Sequence, residues 1–379
     1  MKRHAFVFMI AVFTMLHLSF PVSADENTDR EYDRLLNEIP TEDMQEAIGE
    51  VFEDTNISLN DIVRELISGD KTVIEVIKET VGGKLADFDL YRRLLIKITG
   101  LALICTLFGI LPQILGDGHS ANTGYFISFI TLIAFILSVF NEAAILVKNT
   151  IQVIIFLMNA ILPAYLAALA LSGAVTTAAL YYEVFAVISY LAEHLILSYL
   201  CPAVLIYLAL SLVNQAAETD KFSRLSDLIQ KAVRFILKGI LSILVGFNIF
   251  QGLITPYVDK FNTSVIRKSI EAIPGVGDIA GAGTEVAFGA AMLIKNSIGV
   301  TGLILVTAAA LIPVMKISGY ALVFMLVNAL LQPVMQSKIQ KIFETTVNAI
   351  KLLLRILLCT IIIFLISIVM LAAGSGGGL

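Results

Sequence analysis

The chain has 379 residues, of which 58% are hydrophobic and only 15% charged, and its mean hydropathy is +0.87. Soluble chains carry about 45–50% apolar and ~25% charged residues, so this apolar excess is more than a water-soluble core can bury. A net charge of −5 and a pI of about 5.5 argue against nucleic-acid binding, which needs a basic face, and the composition points to an integral membrane protein.

Charge is distributed unevenly along the chain. Residues 1–24 carry Lys2 and Arg3 and no acid. Residues 25–90 carry 19 acidic and 6 basic side chains, a net of −13, whereas residues 91–379 carry 12 acidic and 18 basic ones, a net of +6. Such asymmetry marks separate compartments or surfaces. Lys2 and Arg3, the apolar run from Ala5 to Phe20 and the small-residue sequence Val22-Ser23-Ala24 have the order of a secretory signal peptide over 1–24, with an uncleaved anchor as the alternative. Either arrangement puts residues 25–90 on the extracytoplasmic side. There, Ser58 and Asp61 form a candidate capping box, followed at helical spacing by Leu59, Ile62, Val63, Leu66 and Ile67. Ser68-Gly69-Asp70 interrupts this pattern, and a second helix runs through Val73, Ile74, Val76, Ile77 and Val81 to the stop at Gly82-Gly83. The segment reads as a small acidic helical region whose apolar faces are too narrow for a large core of its own.

Residues 91–379 read as an all-α, polytopic membrane domain. A bilayer core of about 30 Å needs ~20 apolar residues per helix. Candidate crossings are 94–115, 125–147, 151–172, 174–192, 195–213, 239–258, 297–315, 317–335 and 352–373. Several are interrupted by charge, so the expected count is about eight, between about seven and ten. The Gly-rich run with Pro274, Gly275, Gly277, Asp278, Gly281 and Gly283 is a further crossing, a re-entrant loop or a plain extracytoplasmic loop. Barrel strands are excluded, because the long apolar runs lack two-residue alternation.

Two basic stretches punctuate the apolar ones. In 221–238 the apolar residues Phe222, Leu225, Leu228, Ile229, Ala232, Val233 and Ile236 share a helical face, with Lys221, Arg224, Lys231, Arg234 and Lys238 mostly opposite. This is the pattern of an interfacial helix on an anionic cytoplasmic leaflet. The second stretch, 338–355, carries Lys338, Lys341, Lys351 and Arg355. Shifted by 117 positions, Lys221, Arg224, Asp227, Arg234 and Lys238 meet Lys338, Lys341, Glu344, Lys351 and Arg355 with matching signs. Another echo, at an offset of 147, relates Val147-Lys148-Asn149-Thr150-Ile151 to Ile294-Lys295-Asn296-Ser297-Ile298, each ahead of a proline, Pro163 or Pro313. A degenerate duplication and chance similarity in low-diversity sequence both account for this. Counting crossings from an outside N-terminus puts 221–238 inside, but 338–355 outside against the positive-inside rule, unless one more segment crosses or two merge.

Catalytic signatures are missing from the sequence. There is no GxxxxGK[ST], HExxH or GxSxG pattern, each of which would supply a phosphate cradle, a metal-bound water or an activated serine. Cys105, Cys201 and Cys359 are far apart, and only His119 and His194 follow the signal, so neither a disulfide framework nor a metal centre is expected. The chain reads as a non-enzyme without a cofactor. The remaining candidates are polar residues in or beside apolar helices: Glu183, Glu193, His194, Asn248, Gln251 and Asn328, with Glu142, Asn159 and Lys316. They line a polar path or, for Glu193 and His194, occupy a short loop at the membrane surface.

The order of IPGVGD at 273–278, LIKNSIGVTGL at 293–303 and LIPVMKI at 311–317, behind a signal and an acidic segment, resembles the stage III sporulation protein AE family of endospore-forming bacteria. The resemblance implies a subunit of the secretion-like apparatus between mother cell and forespore, required for late forespore gene expression under sigma factor G. It implies residence in the mother-cell membrane around the forespore, with the other stage III A operon proteins and stage II sporulation protein Q as partners. It supplies no catalytic residues, and energy would come from a separate ATPase subunit. A self-sufficient secondary transporter with an internal repeat is the competing expectation.

Overall fold

A computed structural model describes residues 39–52, 62, 88–115, 119–217, 221–271 and 277–374. The expected signal peptide and the helices expected near 59–67 and 73–81 lie outside the described residues, Ile62 excepted. Among the described residues the regular structure is all helical: α1 (Glu42–Val51), α2 (Phe88–Leu115), α3 (His119–Leu171), α4 (Val175–Tyr190), a π-helical segment (Leu191–Leu200), α5 (Cys201–Ala217), α6 (Ser223–Glu271), α7 (Gly277–Leu331) and α8 (Ser337–Gly374). Among the described residues, five helical stretches are long and apolar enough to cross a membrane: 89–111, 122–171, 175–217, 289–331 and 337–369.

The nine apolar segments of the sequence fall into six continuous helical passages. The expected breaks at Lys148–Thr150, Glu193–His194 and Lys316 do not interrupt the helices. Polar side chains lower hydropathy locally, yet lysine and glutamate are good helix formers and nothing there removes a backbone donor. Pro163 and Pro313 also lie inside α3 and α7. The chain does turn where backbone chemistry demands it. After α3, Gly173 takes φ 84°, its N–H donates to the Ala170 carbonyl and that of Ala174 to the Leu169 carbonyl. This pair of bonds is a Schellman motif, whose left-handed residue favours glycine. At about 1.5 Å per residue, the 53 residues of α3 and 55 of α7 extend roughly 80 Å, more than twice a ~30 Å bilayer core.

Passages successive in the chain alternate in direction. Between α3 and α7, Tyr165 meets Gly299 and Ile161 meets Gly302, an antiparallel register. The helices approach closely at Gly299, where a Cβ would stand 3.0 Å from the Tyr165 ring, tighter than ordinary contact. The Phe324 and Phe343 rings, 5.9 Å apart, together with Ile368 beside Gly302, set α8 antiparallel to α7. On the other side of the bundle, α2 runs parallel to α7, its Tyr91 ring 6.3 Å from that of Tyr320 and its Gly109 against Gln336. The Ser211 and Ser226 hydroxyls, 2.9 Å apart, and the Gln230 amide, donating to the Tyr207 hydroxyl at 3.2 Å, fasten α6 antiparallel to α5. Finally, α6 runs parallel to α8, with the Cys359 thiol donating to the Leu237 carbonyl at 3.7 Å. Only α6 and α7 separate the two basic stretches, so both begin at the same end of the bundle. That removes the conflict met when crossings were counted from hydropathy.

α8 is the central helix, touching α3, α5, α6 and α7, with 72% of its most apolar window buried against 28% for α2. α1 packs on α3: Met44, Ala47 and Ile48, at spacings of three and four, join Ile39 and Ile62 in a cluster with Leu157, Ala164 and Ile294. Its acids Glu42, Asp43, Glu46 and Glu50 stay outside or half-exposed, the division expected of an amphipathic helix. The echo at offset 147 falls on the two longest helices. Val147, Thr150 and Ile151 are buried, and so are Ile294, Ser297 and Ile298, whereas Lys148 is exposed and Lys295 fully enclosed.

Candidate functional site

The polar candidates do not converge. Glu183 on α4 and Glu193 and His194 in the π-helical segment are all exposed. The Tyr190 ring stacks on His194 with centroids 4.4 Å apart, and the Ser198 hydroxyl donates to the Glu193 carbonyl at 3.4 Å, five residues back. The wider π-turn lets a continuous helix pass through this polar pair, and such segments recur at functional positions. With the exposed rings of Tyr182, Tyr190 and Tyr199, these residues form an outward face. A carboxylate on such a face is costly in hydrocarbon, so the face suits a protein neighbour or the headgroup level. Glu142 and Asn159 are also exposed, and Lys316 is half-buried.

Asn328 is half-buried in α7, its Oδ1 enclosed without a hydrogen-bond partner among the described residues. Asn248 and Gln251 belong to α6, with side chains outside the described residues. In the Gly-rich run, Pro274 and Gly275 lie outside the described residues. Gly277, Asp278, Gly281 and Gly283 form the opening turns of α7, a helical rather than an irregular backbone.

The two basic stretches differ. Along the start of α6, Lys221, Arg224, Lys231 and Lys238 are exposed, and so are Phe222, Leu225, Leu228 and Phe235. Cations and large apolar side chains thus share an outward surface, on a helix that packs along α5 and α8. A polar seat holds it, with the Phe222 N–H donating to the Asn214 side-chain oxygen at 3.1 Å beside the serine pair. At the start of α8, Ile339, Ile342, Phe343, Ile350, Leu352 and Leu353 are all buried. Only Lys341 among its cations is exposed, while Lys338, Lys351 and Arg355 are half-buried. This stretch is the beginning of the central helix rather than a strip lying on a surface, because neighbours enclose its apolar residues on several sides.

Sequence reasoning did not foresee that the mid-helix cations share a level. Tyr91 donates to the Met315 carbonyl at 3.5 Å, which sets Arg92 and Arg93 at the level of Lys316. The α3–α7 register that places Ile161 against Gly302 brings Lys148 level with Met315. The α7–α8 register brings Lys316 level with Lys351. Arg234 and Lys238 of α6 share a crevice with Arg355. Charges that look scattered in the sequence therefore form a band around the bundle. Only the spacing from each helix turn carried a hint of it.

A second, smaller cavity of about 30 Å³ lies between α3, α4 and α8, lined by Met158, Tyr165, Tyr181, Phe185, Ser367 and Ile368. The Tyr165 and Tyr181 hydroxyls are enclosed without a hydrogen-bond partner among the described residues. Among those residues no group of three or more His, Cys, Asp or Glu is placed to hold a metal ion. Cys105, Cys201 and Cys359 are buried and free.

Antiparallel apolar helices, a buried central helix and a band of cations define the class: an all-helical, multi-pass membrane protein. Residues 57–375 match the stage III sporulation protein AE family, and the chain belongs to that family, which is not a known enzyme family. It is 27% identical over 243 residues to the stage III sporulation protein AE of Bacillus subtilis (strain 168), across 62% of this chain and 61% of that protein. The alignment thus spans less than two thirds of the relative's length. No solved structure matches.

Proposed function

We propose that the protein is a non-catalytic membrane subunit of the secretion-like or channel complex between mother cell and forespore, and that it supports late forespore sigma factor G activity. The observation that carries this reading is the family match over 57–375. In this reading it resides in the mother-cell membrane surrounding the forespore and takes no cofactor. It works with the other stage III A operon proteins and with stage II sporulation protein Q. Residues 25–90, freed of a signal peptide over 1–24, face outward, and the basic starts of α6 and α8 face the cytoplasm. The helix directions support this: α2 leads from the acidic N-terminal segment to the end where both basic stretches begin, so one orientation satisfies the charge asymmetry. The membrane anchor is then the six passages from α2 to α8, fewer than the eight or so suggested by hydropathy. The face bearing Glu183, Glu193 and His194 offers a surface to a neighbouring subunit.

Crosslinking with mass spectrometry in sporulating cells tests the reading. Crosslinks from residues 25–90 to other sporulation components are expected, and their complete absence would overturn it. The correspondence of α3 with α7 favours a second reading, a self-sufficient secondary transporter. That reading requires solute flux in proteoliposomes containing this protein alone, abolished by Glu183→Ala.

A further inference from the structure

Between α6 and α8 lies a cavity of about 300 Å³ whose polar walls are Arg234, Lys238 and Arg355. The remaining lining is apolar, including Leu241, Cys359 and Ile362, and no acid contributes. Arg234 is half-buried, and its Nε is enclosed with no hydrogen-bond partner among the described residues. A buried charged donor left unpaired is costly, and three cations converging without a counter-charge repel one another. Such an arrangement is stable when an anion supplies the missing acceptors. A guanidinium matches phosphate oxygens two at a time, which suits Arg234 and Arg355. Lys238, exposed at the mouth, adds a mobile point charge. The crevice also lies on the band of cations at one level of the bundle, where a lipid phosphate would sit with its acyl chains along the apolar wall below.

We propose that the crevice between α6 and α8 is a binding site for a phosphate-bearing anion, held by Arg234 and Arg355 with Lys238 at its mouth. An anionic phospholipid headgroup and a free phosphate share this chemistry. The full chain, reconstituted in nanodiscs of phosphatidylcholine with or without phosphatidylglycerol, distinguishes them by native mass spectrometry of bound lipid. A parallel arm titrates inorganic phosphate into the phosphatidylcholine sample and follows the unfolding temperature. Retained phosphatidylglycerol, about tenfold less in Arg234→Gln and Arg355→Gln and unchanged in Lys341→Gln, assigns the lipid. Stabilisation by inorganic phosphate alone, lost in the same two variants, assigns the free anion. If an arginine variant does not fold, Lys238→Gln at the mouth gives the same readout, with a smaller loss expected. Binding of neither anion, or an equal loss in Lys341→Gln, overturns the proposal.

Discussion

Five charges recur with matching sign, 117 residues apart, at the starts of α6 and α8, with Lys231 against Asn348 the exception, yet the two stretches occupy opposite environments. Phe222, Leu225 and Phe235 are exposed on α6, while their counterparts Ile339, Ile342 and Leu352 are buried on α8. At a fourth pair both residues are buried, but Ser226 makes a hydrogen bond where Phe343 packs on an aromatic ring. The difference teaches that amphipathic pattern fixes which residues share a face, whereas the neighbours decide what that face meets. α6 touches α5, α8, α4 and α7 along its length, yet its start keeps an exposed face. α8 is ringed by four helices, and within a membrane such close packing gains its stability from dispersion contacts and hydrogen bonds rather than from expelling water.

The sharpest way to challenge this contrast is to truncate one aromatic residue in each stretch. Phe343→Ala should lower stability by about 3–5 kcal/mol, the range for a buried ring. Phe235→Ala, at a position 78% exposed, should stay within about 0.5 kcal/mol. Thermal unfolding in mild detergent measures both, and equal losses would erase the distinction. A smaller effect is expected at the polar seat of α6. Ser226→Ala should cost about 1 kcal/mol, and a double-mutant cycle with Ser211→Ala should show the two losses to be coupled. Additive losses would mean that the serine pair does not hold α6 to α5. Smaller still, Tyr165→Phe removes an enclosed hydroxyl without a partner among the described residues, and should change stability by less than about 1 kcal/mol, in either direction. A large loss there would reveal a hydrogen bond at that cavity.

The environments themselves can be read without altering stability. The chain has no tryptophan, so Phe235→Trp and Leu352→Trp are each sole reporters. Brominated lipids should quench emission from position 235 strongly and from position 352 weakly. Similar quenching at both would place α8 at the lipid boundary.

Much of this architecture was legible in the sequence. The helical class and the boundary between the segments 151–172 and 174–192 follow from apolar period and length. The continuity of the passages did not. Lys148, Glu193 and Lys316 lower a hydropathy window as a loop would, but only backbone chemistry ends a helix, as at Gly173 or near Pro333 after α7. The docking of α1 was present only as the spacing of Met44, Ala47 and Ile48, too short a pattern to stand out from the surrounding acids. The crevice of Arg234, Lys238 and Arg355 was illegible, because it depends on the register between two helices more than a hundred residues apart.

That register is tested most directly by topology. With Cys105, Cys201 and Cys359 replaced by serine, a single cysteine at position 221 or 338 can be probed with a membrane-impermeant maleimide in intact and permeabilised cells. Both positions should be protected in intact cells and labelled after permeabilisation, since α6 and α8 begin at the same end. Labelling of one from outside and the other from inside would contradict the parallel pairing on which the account rests.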